Sequence, residues 1–368
     1  MGLLYAALLL WLGAATPALA ARSPRVVEPL PSLEEQVTAV GLSADVVIFP
    51  FETTPEMEAW ARKATRMTTT PLDRLEALQL ALFNPRTFAF TYDRAATLTA
   101  REAFTTHRGN CLAFTSLFIA LARSVGVDAR MVSVQRVVDV SLEDDLVVLT
   151  RHVVAGYEYM GRMHLYDFTF EEEAPALAYA VVDDRVASSM LHGNRGAASL
   201  LAGQVAEAQV DLEIATRLTP ERPTAWVNLG VARRRGGDLV GAIDAYKRSL
   251  ELDAGNGAAL ANLAVAYRLM GRPAEAEIAL RAAAEDRISP FSQIALADAE
   301  RSRGDLESAL RLLRRARRNY PRVPEVHEGL ARWAHDAGNP ERASRHGARA
   351  ERLHAKVESL RAPAVASE

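Results

Sequence analysis

Apolar positions in the first half of the chain change from a helical spacing to an extended one. Helical spacing predicts helices at residues 33–40, 55–67, 71–83 and 111–125. Extended runs follow at residues 129–138, 147–159 and 162–170. The Met160-Gly161 pair joins the last two runs as a hairpin-like turn. Helices followed by antiparallel strands indicate an α+β domain.

The second half of the chain repeats one helical pattern five times. Glycine recurs at intervals of 33 or 34 residues, at Gly203, Gly237, Gly271, Gly304 and Gly338. An alanine stands five residues after each glycine, and another alanine or a serine stands seven residues further on. A period of this length predicts stacked pairs of helices, because one pair alone cannot bury its apolar face.

These units resemble tetratricopeptide repeats, in which a glycine turns the chain between two antiparallel helices. The clearest copy, residues 223–256, carries the motif residues Trp226, Leu229, Gly230, Ala242, Tyr246 and Ser249. The resemblance implies an all-α superhelix whose concave groove binds a protein or peptide partner. Arginine clusters at residues 233–235 and 314–318 have two interpretations, a site for an acidic peptide or a solvated helix face, and the second is favoured.

The first 20 residues have the pattern of a signal peptide. An apolar run from Leu3 to Leu12 is followed by Pro17 and by the small-x-small sequence at residues 18–20. The run is shorter than the roughly 18 to 20 apolar residues that a membrane-spanning helix needs. We therefore expect cleavage after Ala20 and export to the bacterial periplasm or beyond. Membrane attachment is expected only through the alternative, an uncleaved N-terminal segment.

The composition of the chain argues against several classes of function and of binding site. The formal net charge of −3 over 368 residues does not favour nucleic-acid binding. The one cysteine, Cys111, excludes an intramolecular disulfide and a cysteine-rich metal site. Acidic runs at residues 143–145 and 171–173 lack the alternating ligand spacing of a calcium loop. We expect no metal and no cofactor, and the sequence does not indicate the oligomeric state.

Cys111 stands where a helix is predicted to begin. Unpaired amides and the helix dipole at such a position favour a thiolate over a thiol. His152 lies within the second extended run and Asp167 near the end of the third, so adjacent strands can carry the imidazole and the carboxylate side by side. In this geometry His152 accepts the thiol proton, and Asp167 orients the ring and stabilises the imidazolium.

The sequence around these residues resembles the core of the transglutaminase-like superfamily. The stretch RGNCLAFTSLFIALARSVGVDARMVSV has the Gly-x-Cys, helix and following strand of that family. The stretch HVVAGYEYMGRMHLYDFT is similar to its histidine strand and to its strand ending in aspartate. The resemblance implies a papain-like fold with a catalytic triad of Cys111, His152 and Asp167. It also implies activity as a protein cross-linker, peptidase, deamidase or amidase.

Three polar residues near the proposed triad have other interpretations. Asn110 and the Cys111 backbone amide are both candidates to polarise a substrate carbonyl, and the amide is favoured. His107 is interpreted as a loop residue, with substrate contact as the alternative. His164 lies three residues before Asp167, so on an alternating strand it faces away from that carboxylate.

The sequence therefore predicts a signal peptide (1–20), a transglutaminase-like domain (21–187), a repeat array (188–358) and a flexible tail (359–368). The predicted fold class is an α+β papain-like domain followed by an all-α tetratricopeptide superhelix. Two functions are compatible with this organisation. One is an exported thiol enzyme that hydrolyses or transfers an amide or peptide acyl group while its repeats bind a protein. The other is an inactive scaffold whose repeat groove mediates protein binding.

Overall fold

The computed structural model of the chain describes residues 32–143, 146–167, 179–285 and 290–361. The predicted signal peptide lies outside these ranges, as do most of the predicted tail and residues 144–145 and 171–173 of the acidic runs. Within the described ranges, no helix has both the length and the apolar character needed to cross a membrane.

Helices dominate the chain before the sheet. They are α1 (Leu33–Ala39), α2 (Pro55–Ala64), α3 (Pro71–Phe83), α4 (Ala100–Thr106) and α5 (Cys111–Ser124). The bounds of α3 match the prediction, because Thr70 and Asp73 form a capping box and Pro71 occupies the first turn. The apolar pattern does not predict α4, since seven residues are too few to establish a helical period.

The strands form one antiparallel sheet and one short parallel pair. Their bounds are β1 (Thr91–Tyr92), β2 (Arg108–Gly109), β3 (Arg130–Glu143), β4 (Leu146–Tyr159), β5 (Arg162–Tyr166) and β6 (Tyr179–Val182). The sheet has the order β5-β4-β3-β6, while β1 pairs with β2 in parallel. Met160 and Gly161 have φ values of 50° and 76°, as a two-residue hairpin turn between β4 and β5 requires. This confirms the predicted hairpin.

Helix α5 is the centre of the first core. Every residue from Leu112 to Ala122 is buried, so the helix is covered on all of its faces. The sheet covers one of these faces through Val153 and Ala155, and the Thr115 hydroxyl donates a hydrogen bond to the Val153 carbonyl at 3.3 Å. This packing holds the N-terminus of α5 in a fixed position beside the sheet.

The second half of the chain consists of paired helices. Their bounds are α6 (Asp184–Leu201), α7 (Val205–Leu218), α8 (Pro223–Arg235), α9 (Leu239–Leu252), α10 (Gly257–Leu269), α11 (Pro273–Ala283), α12 (Phe291–Ser302), α13 (Leu306–Asn319), α14 (Pro324–Asp336) and α15 (Pro340–Arg361). The described residues thus contain five helix pairs, and each of the five repeating glycines follows the first helix of its pair with φ between 70° and 88°. Within the second pair the helices approach closely, because a Cβ atom on Gly230 would lie 2.4 Å from Cε1 of Tyr246. The predicted helical repeat is confirmed.

The first helix pair packs directly against the α+β domain. The Ser188 hydroxyl donates to the backbone carbonyl of Ile48 at 2.6 Å, and Nε2 of His192 accepts from the Ile48 N–H at 3.0 Å. Arg123 of α5 donates two hydrogen bonds to Asp184 of α6, at 2.6 and 2.9 Å. The described residues from α1 onward accordingly pack as one compact unit.

Candidate active site

Asn110 fixes the start of α5 and the position of Cys111. Its side-chain oxygen accepts a hydrogen bond from the Ala113 N–H at 3.1 Å, which makes it the helix N-cap. Its amide nitrogen donates to the Thr97 hydroxyl at 2.7 Å. Both ends of this carboxamide are therefore engaged in holding the loop. The Cys111 amide lies in the first turn, where backbone N–H groups have no acceptor within the helix.

His152 lies on β4, and Asp167 immediately follows the neighbouring antiparallel strand β5. Ala155 of β4 pairs with Tyr166 of β5, so Asp167 directly follows the paired segment on the side of His152. Nε2 of His152 and Oδ2 of Asp167 are 2.7 Å apart. Their side chains are 21% and 23% exposed, so the contact is shielded while the site stays open to solvent.

The charge state of His152 depends on both neighbours. The hydrogen bond that His152 donates to Asp167 and a smaller effect of Cys111 raise the pKa of His152 from 6.5 to about 9, although burial opposes the shift. Since Nε2 faces Asp167, Nδ1 is the ring nitrogen that remains for the thiol. The site therefore brings together a thiol at a helix N-terminus, an imidazole, and a carboxylate in hydrogen-bond contact with that imidazole.

Gln79 is a site residue that the sequence analysis missed. Its side-chain amide on α3 donates a hydrogen bond to the backbone carbonyl of Asp167 at 2.7 Å. The described pairing of β5 ends at Tyr166, so this contact holds the backbone where the strand ladder stops. Gln79 lies within a correctly predicted helix, but a contact between residues 88 positions apart has no local sequence signal.

The other two histidines of the α+β domain, His107 and His164, make contacts that serve the fold. His107 ends α4 in the left-handed conformation with φ 55°, and its ring stacks on Phe88 at 3.9 Å between centroids. It therefore belongs to the loop, in line with the favoured interpretation. His164 pairs with Tyr157 across the β4–β5 hairpin. In the part of the chain that the structure describes, no group of three or more His, Cys, Asp or Glu side chains is arranged to hold a metal ion.

The arginine clusters of the repeats make internal contacts. Arg233 donates to a backbone carbonyl at 3.3 Å and lies 3.8 Å from the Glu213 carboxylate, while Arg235 donates to another carbonyl at 2.7 Å. Arg315 forms an ion pair with Glu285 at 3.1 Å. These contacts favour a role in joining neighbouring helices over the acidic-peptide interpretation.

Comparison with protein families identifies both parts of the chain. Residues 58–154 match the transglutaminase-like superfamily, a segment that includes Cys111 and His152 and ends before Asp167. Three tetratricopeptide repeat families match residues 198–257, 233–287 and 290–333. The chain therefore combines a transglutaminase-like domain with a following array of tetratricopeptide repeats.

Two curated proteins share parts of this sequence. "Cellulose synthase operon protein C" of Xanthomonas axonopodis pv. citri is 32% identical over 172 residues, which cover 42% of this chain and 11% of that protein. The heat-shock cognate co-chaperone sgt12 of Aspergillus fumigatus is 42% identical over 64 residues, which cover 17% of this chain and 18% of that protein. This chain thus spans less than a fifth of the length of either relative.

A solved structure of Pseudomonas aeruginosa pilF is also similar. It is 20% identical to this chain, with a TM-score of 0.39, and the similarity covers 47% of this chain and 78% of that one.

Proposed function

We propose that this protein is an exported thiol enzyme that attacks amide or peptide carbonyl groups through Cys111. The observation that carries the proposal is the 2.7 Å contact between His152 and Asp167, with Cys111 close enough to the same imidazole to help raise its pKa. A thiol, a base and an orienting carboxylate in this order are the groups that nucleophilic acyl transfer requires.

The reaction starts from the ion pair of the Cys111 thiolate and the His152 imidazolium, in which His152 holds the thiol proton. The thiolate sulfur then bonds to the substrate carbonyl carbon, and the carbonyl π electrons move to oxygen. Collapse of this intermediate breaks the carbon–nitrogen bond, and the leaving amine takes its proton from the His152 imidazolium. A thioester on Cys111 remains. Water converts it to a carboxylic acid, or an amine converts it to a new amide, and either reaction restores the thiol.

The repeat array supplies the second part of the proposal. Tetratricopeptide repeats generally mediate protein–protein interaction, and we assign the groove of this array to a protein or peptide substrate. The contacts of Ser188 and His192 with Ile48 support this assignment, because they fix the first helix pair on the catalytic domain. A substrate held by the repeats would then meet the thiol at a constant distance.

Export is the third part of the proposal. It rests on the apolar run and the small-x-small sequence within residues 1–20. Mass spectrometry of the protein from the periplasm tests it, and we expect a mature chain that begins at Ala21. A chain retained in the cytoplasm with its first 20 residues would contradict export.

Acylation of Cys111 by p-nitrophenyl acetate tests the enzymatic part. We expect a burst of p-nitrophenolate and a gain of one acetyl group on Cys111, found by peptide mass spectrometry. A Cys111→Ala variant should show neither signal, and His152→Ala should acylate on the order of 10²-fold more slowly because it lacks the base. Equal acylation in wild type and His152→Ala would contradict the proposal. Full biological activity of Cys111→Ala in the cell would assign the function to the repeats alone.

A further inference from the structure

Two histidines contact each other across the last helix pair. The Nδ1 atoms of His327 on α14 and His346 on α15 lie 3.1 Å apart, and their ring centroids are 5.4 Å apart. His327 is 7% exposed, and His346 is partly buried. Neither residue takes part in the proposed reaction, so this contact is a separate feature of the repeat array.

The hydrogen bond between His327 and Pro321 determines how the two imidazoles share their protons. Nε2 of His327 lies 3.1 Å from the backbone carbonyl of Pro321, which can only accept, so this nitrogen carries a proton. In the neutral ring Nδ1 of His327 is then an acceptor, and the Nδ1–H of His346 is the donor across the contact. A proton on both Nδ1 atoms would set one N–H group against another. The packed contact is therefore compatible with one Nδ1 proton and not with two.

The surroundings of the two imidazoles also oppose positive charge. Burial, the adjacent His327 and nearby arginines together lower the pKa of His346 from 6.5 to about 4. Burial lowers the pKa of His327 as well, with arginines acting in the same direction and the hydrogen bond to Pro321 opposing them. The arginines concerned are Arg317 on α13 and Arg342, Arg345 and Arg349 on α15.

Two carboxylates on the neighbouring helices are engaged by other cations. Glu328, which follows His327 in the chain, lies 2.8 Å from Nε2 of His354. Asp298 of α12 accepts a hydrogen bond from Arg332 at 2.8 Å. A proton added to the imidazole pair thus meets mainly the positive charge of the arginines.

We propose that His327 and His346 form an acid-sensitive contact that holds α15 on α14. When α15 separates, both imidazoles enter water and take up protons at mildly acidic pH. Because the packed state binds these protons less tightly, a falling pH shifts the equilibrium towards separation. The contact is fully effective above pH 6.5, and its contribution is lost as the pH falls from 6.5 towards 4.

Separation would change the surface of the array at its last helix pair. The guanidinium of Arg342 on α15 lies 5.0 Å from the ring centroid of Trp333 on α14, and Trp333 is 9% exposed. Movement of α15 away from α14 would uncover this ring. Acid would therefore expose an apolar helix face that is covered at neutral pH.

Hydrogen–deuterium exchange of the full-length protein measures this separation. Peptides from α15 are followed between pH 7 and pH 5 in wild type and in His346→Gln, whose amide can donate to His327 and does not titrate. The intrinsic exchange rate changes equally with pH in both proteins, so the ratio of their rates reports the separation of α15. We expect the ratio of wild type to variant to rise roughly 10- to 30-fold from pH 7 to pH 5. Peptides from α8 and α9 should keep a constant ratio.

His354→Gln is the matched control, because it removes the other histidine that joins α15 to α14. Its side chain is 46% exposed and contacts Glu328. This variant should follow wild type within about threefold at each pH. If it removes the acid response of α15 as His346→Gln does, the exposed pair is responsible and the proposal is wrong.

Two further outcomes would overturn the proposal. One is a ratio for α15 that stays constant between pH 7 and pH 5, and the other is an equal rise in α8 and α9, which would show that acid unfolds the whole array. The imidazole titrations of wild type, followed by 13C nuclear magnetic resonance at Cε1, test the contact without a packing variant. Both histidines should titrate below 6.5, and titration of both at or above 6.5 would contradict the contact.

Discussion

The contact between His152 and Asp167 makes a quantitative prediction about one imidazole. The pKa of His152 is raised from 6.5 to about 9, with the Asp167 hydrogen bond as the largest cause. One pKa unit corresponds to about 1.4 kcal/mol, so the folded protein stabilises the imidazolium by about 3 kcal/mol relative to the unfolded chain. Replacing Asp167 with Asn keeps the shape of the side chain and removes its charge. We expect the pKa of His152 to fall by at least about one unit.

Nuclear magnetic resonance of the imidazole groups measures this effect directly. The chain contains eight histidines, so 13C labelling at their Cε1 atoms gives a small set of signals, and a His152→Gln variant identifies the one of interest. The matched control is Asp211→Asn, which removes the charge from another partly buried histidine–aspartate pair, where Oδ1 of Asp211 lies 2.6 Å from Nδ1 of His192. This control should leave the titration of His152 unchanged.

The free energy of unfolding should depend on pH through the same ionisation of His152. Because the folded pKa of His152 lies above its unfolded value, the pair stabilises the fold fully below pH 6.5, and this contribution is lost as the pH rises through about 9. Wild type should therefore lose more unfolding free energy than Asp167→Asn between these two pH values in urea titrations. A His152 titration near 6.5 in wild type, or a shift of less than half a unit in Asp167→Asn, would refute the reasoning.

Three further predictions concern residues that support the site and the repeats. Gln79→Ala should lower the acylation rate several-fold and reduce the pKa of His152 less than Asp167→Asn does, because only the backbone of Asp167 loses its support; an unchanged titration and rate would contradict this role. Gly230→Ala forces a Cβ atom against the Tyr246 ring and should cost about 1–3 kcal/mol in urea unfolding, whereas equal midpoints would show that the helices separate freely. His192→Ala should increase proteolytic cleavage between the two domains, and an unaltered cleavage pattern would contradict the assigned contact.

The spacing of apolar residues predicts those helices and strands that are long enough to show a repeating pattern. Helix α3 and the β4–β5 hairpin were predicted because caps, turn residues and apolar spacing agree there. Strands β1, β2 and β6 were missed because they have two, two and four residues, and such short segments take their form from their neighbours.

Some residues of the candidate site can be recognised from the local sequence, whereas others depend on contacts between distant segments. Cys111 could be identified from its own surroundings, because a polar loop followed by a uniformly apolar helix marks a helix N-terminus. Gln79 could not, since its contact with Asp167 depends on α3 meeting the end of β5. By sequence Asn110 is a candidate to polarise a substrate carbonyl, and only the structure reveals that its amide nitrogen donates to Thr97 and its oxygen accepts from Ala113.

The hydrogen bonds between α6 and Ile48 also limit where a chimeric protein can join this sequence to that of another repeat protein. Both backbone groups of Ile48 are satisfied by Ser188 and His192 of the first repeat, and Leu218 of α7 fills a small core formed with Val37 and Leu42. If the whole array were exchanged for that of another protein, the backbone N–H and carbonyl of Ile48 would lose these hydrogen-bond partners. A viable chimera therefore has its crossover after α7, so that the first repeat stays with the transglutaminase-like domain and only the later repeats are exchanged.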